Sequence, residues 1–406
     1  MSSNSDATKK IAFLVPINGI SGGLYVVYQH AHFLAGQGWD VEVLFSSAEH
    51  GTNVTSYRGF SLPTRTLAEA VQAGTRYDAV VATWWETFYE IFDLPSAGYF
   101  YFVQSDERRF YPAGDARVAL VEETYRGEGV GYLTEARWIQ TWLKQDFGQT
   151  AGLAPNGVDT RLFRPDVVPL APRGGGRVRV LIEGPATQPF KRVDLAFRVA
   201  AQVPNLEIWY VCSDGEPQPE WRIDRFFPKR ALDEMPAIYA SCDVLLKLST
   251  VEGFVGPPLE MMACGGTAVV SKATGWEEYL EHDRNCLLVE LDDESGAVAA
   301  LSRICKDSEL RRSLSEAGIA KARTLDWARR LPLFPEALRE TGRAVRTPVP
   351  GARLYAALAA SRRREAKTLR ESEAAHGQLA IYRSLVRPSF PQRILNRLRS
   401  FFAPRP

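Results

Sequence analysis

Short apolar runs of strand length alternate with helix-length patterns along most of the chain, and this alternation constrains the fold more than any other feature. In the first part the runs are KIAFLVP (10–16), DVEVLF (40–45), DAVVAT (78–83), GYFYFVQ (98–104) and GVGYL (129–133). Strands separated by helices in this way build a parallel, doubly wound sheet. The period is then broken by RPDVVPLAPRGGG (164–176), whose prolines and glycines suit a linker. It restarts with RVRVLIEG (177–184), LEIWYVC (206–212), DVLLKLS (243–249), TAVVS (267–271) and CLLVE (286–290). The expected architecture is α/β, with two Rossmann-like doubly wound domains facing a cleft. Their bounds read as 1–165 and 177–331, with the linker at 166–176, a helical extension over 332–380 and a basic tail over 381–406. The charged stretch 352–377 reads as an exposed helix.

Composition matters mainly for what it excludes. Lys+Arg number 49 against 48 Asp+Glu, which gives no global reason to expect nucleic acid as a partner. The five cysteines are odd in number and form no C-x-x-C pair, so neither a disulfide frame nor a zinc site is expected. The first ten residues, MSSNSDATKK, lack the apolar core of a signal peptide, and no run approaches 18 apolar residues. The expected location is the cytoplasm.

Chemistry concentrates in STVEGFVGPPLEMMACGG (249–266), where two glutamates flank a turn rich in glycine and proline. DVLLKLS delivers the chain to the carboxyl edge of a sheet, the place where open α/β sheets bind ligands. Pro257 and Pro258 suit a first helical turn, placing Glu252 in the loop and Glu260 in the helix. Free amides around Gly253 attract phosphate, whereas carboxylates accept hydroxyl groups. A nucleotide sugar carries both. The plain alternative is a helix start with solvated glutamates placed by the macrodipole, which Glu260 taken alone suits better than a site role. Both are expected to be exposed in the cleft.

These residues resemble the retaining glycosyltransferases of family four, whose E-x7-E signature is matched by Glu252 and Glu260 in EGFVGPPLEMMACG. IYASCDVLLKLS (238–249), TAVVSKATGWEEYLEHDRNCLLV (267–289) and PNGVDTRLFRP (155–165) extend the resemblance, which covers roughly 10–331. It implies the GT-B fold, a nucleotide-diphosphate sugar as donor substrate, no cofactor and no metal. It further implies that Glu252 holds donor sugar hydroxyls, that Gly253 and Phe254 offer backbone amides, and that Glu260 holds the ribose. Lys191, in EGPATQPFKRVD (183–194), matches the family's diphosphate lysine, but Pro185 stands where its arginine is expected, leaving Arg192 as the substitute. Gly22 and Gly23 match the glycine loop that approaches the diphosphate. The family often has a histidine at a strand end of the first domain, but none stands at the end of GYFYFVQ, and among Gln104, Ser105, Asp106 and Glu107 there the candidate beside the reacting sugar is Asp106, with a solvated loop carboxylate as its plain alternative.

VQSDERRFYP (103–112) and EETYRGEGVGYLTEARWIQTWLKQDFG (122–148) are similar to bacterial rhamnan-type rhamnosyltransferases of that family. Trp84 or Trp85 of TWWETFYE is placed either to stack on an acceptor sugar or in the core. The implied activity is a metal-independent retaining hexosyl transfer, of rhamnose or another hexose, to a glycan or lipid-linked acceptor in surface polysaccharide assembly. A catalytically silent scaffold and a sugar-nucleotide epimerase remain alternatives. In the tail, six arginines (Arg383, Arg387, Arg393, Arg397, Arg399 and Arg405) without an acidic residue after Tyr382 flank an apolar stripe. Such a segment suits either peripheral attachment to the inner face of the membrane or docking on protein, including a partner enzyme.

Overall fold

A computed structural model of the protein describes residues 8–345 and 361–372, apart from 48, 50, 55, 56, 58, 175 and 363. The basic tail at 381–406 lies outside the described residues. The first half is a seven-stranded sheet of β1 (Lys10–Val15), β2 (Asp40–Phe45), β3 (Thr64–Thr66), β4 (Ala79–Ala82), β5 (Tyr99–Val103), β6 (Val130–Thr134) and β7 (Ala151–Leu153). The second is a six-stranded sheet of β8 (Val178–Glu183), β9 (Leu206–Cys212), β10 (Arg225–Pro228), β11 (Val244–Lys247), β12 (Thr267–Ser271) and β13 (Leu287–Val289). All pairings are parallel. The central strands are apolar because helices cover both faces, so that Ile11–Val15 and Val180–Ile182 are almost completely buried.

The strand orders, β3-β2-β1-β4-β5-β6-β7 and β10-β9-β8-β11-β12-β13, reverse direction between β1 and β4 and between β8 and β11. A reversal sends the neighbouring connections to opposite faces and opens a crevice at the carboxyl edge. The loops after β8 and β11 border that crevice in the second half. They contain Lys191 and Glu252 respectively.

The chain does not simply end on the second half. Val158 and Asp326 form an isolated parallel bridge, in which Val158 N–H donates to Leu325 O and Trp327 N–H donates to Val158 O, both at 3.0 Å. The following helix, Leu333–Val345, packs on β6 and β7 of the first half. Close approach requires glycine there: a Cβ on Gly152 would lie 2.6 Å from Thr341 Oγ1. Phe334 is fully buried and stacks on His30 at 4.4 Å. His30 is itself enclosed, and burial lowers its pKa to about 3, so it is a neutral core ring. Residues 364–372 are helical and mostly exposed, as expected, but one edge rests on the first half through buried Ala366 and through Arg370, which pairs with Glu86 at 3.1 Å.

Candidate functional site

β11 is buried throughout and ends in Lys247, after which the chain loops through Glu252 and enters the helix Gly256–Ala263. Pro257 and Pro258 occupy its first turn, where no N–H is needed, and Glu260 follows inside the helix. Glu252 is 8% exposed, so it is far more enclosed than an open cleft position implies. Lys191 Nζ donates to both of its oxygens, at 2.9 and 2.8 Å, and Lys247 Nζ stands 3.9 Å away. Burial alone would raise the Glu252 pKa, but the two ammonium groups hold it below its ordinary value. Burial lowers the Lys191 pKa, against the opposing pull of Glu252. The pair is therefore ionised, and it fixes the loop against the turn after β8.

Glu260 belongs to a second cluster behind the first. The Tyr239 hydroxyl lies 3.0 Å from Glu183 Oε2 and 3.0 Å from Glu260 Oε2. A hydroxyl has one proton to give, so two ionised carboxylates would leave one contact repulsive. Burial, with the charge of Glu183 added, raises the Glu260 pKa to about 8. Burial and the neighbouring Glu183 thus favour the protonated form of Glu260 at neutral pH.

The first half meets this loop at Gly253. A Cβ there would fall 1.6 Å from Gln104 O and 2.8 Å from Glu135 Oε1, so only glycine allows the two halves to touch. Trp138 Nε1 donates to Gly253 O at 2.7 Å. Gln104 Nε2 donates to Gly23 O at 3.1 Å and to Glu135 Oε2 at 3.3 Å, and Asn156 Nδ2 donates to the same oxygen at 2.8 Å. Gly23 is thereby tied to the centre of the seam, while Gly22 begins the helix Gly22–Gly36 beside it. Burial raises the Glu135 pKa to about 8, and the charges of Glu252 and Glu278 add to the rise. Glu278 caps the helix Arg137–Phe147 from the other half, accepting from Arg137 N at 2.6 Å and Trp138 N at 3.2 Å. Arg109 crosses the seam as well, to Thr250 O at 3.1 Å and Thr274 Oγ1 at 3.2 Å.

Two residues singled out from the sequence are engaged elsewhere. Arg108 binds both carboxylate oxygens of Asp106, at 2.8 and 2.9 Å, and Asp106 caps the short helical turn Glu107–Phe110. It is thus held by Arg108 and is not a free carboxylate. Arg192 adopts a left-handed backbone with φ 48°, and its guanidinium pairs with Asp292 and Asp194. It lines a cavity of about 730 Å³ with Gln188, Phe190, Trp221, Thr250 and Asp292, and its ion pairs are with those two aspartates and not with Glu252. Phe254 is half-buried, its ring 5.2 Å from that of Tyr279. Trp85 is fully buried, whereas Trp84 is half-buried and stacks on Phe110 at the seam.

Sequence reasoning missed Lys247, Glu135 and the Tyr239–Glu183 pair. Their signals were present: a lysine ending an otherwise apolar strand, and a carboxylate directly after the run GVGYL and its threonine. Among the described residues, no group of three or more His, Cys, Asp or Glu side chains is placed to hold a metal ion. Nor is any described helix long and apolar enough to cross a membrane.

Residues 225–321 match the family described as glycosyl transferases, group 1, a span that includes Tyr239, Lys247, Glu252 and Glu260. The chain is 27% identical over 274 residues to the O-antigen biosynthesis protein RfbC of Myxococcus xanthus, a match covering 65% of this chain and 21% of that protein. It spans less than half the length of each curated relative it matches. Among solved structures, sucrose-phosphate synthase from Thermosynechococcus elongatus superposes with a TM-score of 0.66 at 18% identity, over 83% of this chain and 100% of that one. Anabaena HepE in complex with UDP-glucose gives a TM-score of 0.66 at 17% identity, over 82% and 99%. The fold is GT-B, two parallel-sheet Rossmann-like halves joined across a seam.

Proposed function

We propose that the chain is a retaining glycosyltransferase, moving a hexosyl unit such as rhamnose from a nucleoside diphosphate sugar to a glycan or lipid-linked acceptor in surface polysaccharide assembly. One observation carries the reading. At the carboxyl edge of the second sheet an ionised Lys191–Glu252 pair sits beside the amides of Gly253 and Phe254 and is closed over by the first half. The group 1 match, which includes Glu252, Gly253 and Phe254, supports it, as do the O-antigen biosynthesis in the name of RfbC and the UDP-glucose bound by HepE.

In this reading the amides of Gly253 and Phe254 and the remaining N–H of Lys191 receive the diphosphate. An ammonium has three donors, of which Glu252 takes two. Glu252 accepts sugar hydroxyls, and Gly22 and Gly23 allow the first half close access to the transferred sugar. The acceptor's own hydroxyl is the nucleophile, so the protein contributes orientation and charge stabilisation of the departing diphosphate, with no metal required. The test is calorimetry and thermal shift with UDP, GDP, dTDP and their sugars, followed by product detection. At least one diphosphate should bind; binding of none would overturn the proposal.

Glu260, assigned to the ribose hydroxyls, makes that binding pH-dependent. Hydroxyl donors favour the ionised carboxylate, so the complex lowers a pKa that stands at about 8 in the free protein. A proton is then released on binding below that pH. Affinity should rise by up to about tenfold per pH unit as pH 8 is approached from below and level off above it. The nucleotide phosphate titrates near pH 6 on its own account, so the decisive comparison is with Glu260→Gln, which should lose the additional slope. Equal slopes in the two proteins would remove Glu260 from the ribose site.

A further inference from the structure

We infer that Lys247 is the second cation of the diphosphate site, an assignment that rests on the nucleotide-sugar reading above. Lys247 is 4% exposed, the last residue of an otherwise apolar strand. A buried ammonium needs compensation, yet among the described residues its hydrogen bond is to a neutral acceptor, Glu183 O at 3.1 Å. The nearest carboxylate, Glu252, is 3.9 Å away and is already held on both oxygens by Lys191. Two ammonium groups thus converge on one carboxylate. Behind them Glu183 and Glu260 share the Tyr239 hydroxyl and are not hydrogen-bonded to Lys247 through their carboxylates.

Register explains the convergence. β11 pairs with β8 with Leu246 opposite Ile182, so Lys247 comes level with Glu183, the last residue before the turn at Gly184. A Cβ built on Gly184 would lie 3.6 Å from Lys191 Cβ and 3.8 Å from Lys247 Nζ. Both lysines therefore border the same turn, one from the loop and one from the neighbouring strand. Pro185 brings no charge to that turn, and Arg192 is spent on Asp292 and Asp194. An arriving diphosphate carries the negative charge that the second ammonium lacks in the free protein, and it is within reach of the N–H groups not used on Glu183 O.

The test compares wild type with Lys247→Met and Lys247→Gln, measuring by calorimetry the binding of the preferred nucleoside diphosphate and of the same nucleoside without phosphate, together with melting temperature. Both variants should bind the diphosphate at least tenfold more weakly, keep nucleoside affinity within about threefold, and melt within a few degrees of wild type. Lys247→Arg should recover part of the loss. Wild-type diphosphate affinity in either folded variant would overturn the assignment. So would equal losses for nucleoside and diphosphate, which mark Lys247 as a strut for the Glu183 carbonyl. If the wild-type protein binds no nucleoside diphosphate at all, the functional reading itself fails, and that outcome is distinct from a variant that binds as wild type does.

Discussion

Replacing Gly253 by alanine is expected to lower kcat/KM for sugar transfer by at least about a hundredfold while both halves of the molecule stay folded. The added methyl would stand 1.6 Å from Gln104 O, a main-chain atom, and 2.8 Å from Glu135 Oε1. Neither has room to give. Gln104 follows directly on β5, and its side chain is tied to Gly23 and Glu135. Glu135 is held in turn by Asn156 at 2.8 Å. Relief requires the halves to separate by an ångström or more, and a misplacement of that size costs about two orders of magnitude when acceptor and donor are held by different halves. The diphosphate contacts proposed for Lys191 and for the amides of Gly253 and Phe254 belong to the second half alone, and alanine keeps the amide, so diphosphate affinity should change only a few-fold. Transfer kinetics, calorimetry and small-angle scattering together check the result. Wild-type kcat/KM with an unchanged radius of gyration would show that the seam at Gly253 is not needed for the reaction.

What the sequence made legible follows from how each feature is encoded. The central strands were readable because burial on both faces forces continuous apolar runs, as in KIAFLVP and RVRVLIEG. β3, β7 and β10 were not, since three or four residues such as TRT, AGL and RFFP carry no period, and these strands lie at the sheet edges. Glu252 and Glu260 could be found because their spacing and the glycine-proline turn lie within one short stretch. Gln104 and Glu135 follow neighbouring strands of the first sheet and Lys247 ends a strand of the second, so no one stretch of sequence shows them together. Asp106 and Arg192 illustrate the converse. Their sequence positions were suitable, but Arg108 and Asp292 compete for them locally, and a neighbouring opposite charge is enough to redirect a side chain. The return of the chain to the first half through Leu333–Val345 left no local mark beyond the helix itself.

The carboxylate at the centre of the site makes the other large effect. Glu252→Gln should reduce transfer by at least about a hundredfold, yet leave nucleoside diphosphate binding intact or tighter. Two consequences of the geometry lead there. Glu252 holds Lys191 through both oxygens, so in the free protein it competes with any phosphate for that ammonium. Removing the charge releases Lys191 and leaves Lys247, 3.9 Å away, without its nearest counterion. Unpaired buried charges destabilise a fold by about 3–5 kcal/mol when one partner of a pair is deleted. The half-buried position of Lys191, 22% exposed, should keep the cost below that range. The variant should therefore melt lower than wild type but gain more from added nucleoside diphosphate, because the ligand supplies the missing negative charge. Transfer behaves differently, since the neutral amide accepts sugar hydroxyls weakly and no longer sets the ammonium against the departing phosphate. The loss should appear in kcat more than in the donor's dissociation constant. Full transfer activity in Glu252→Gln would remove this carboxylate from the reaction. A parallel loss of diphosphate binding would instead mean that the Lys191–Glu252 pair acts as a brace for the phosphate turn, with the sugar held by other groups.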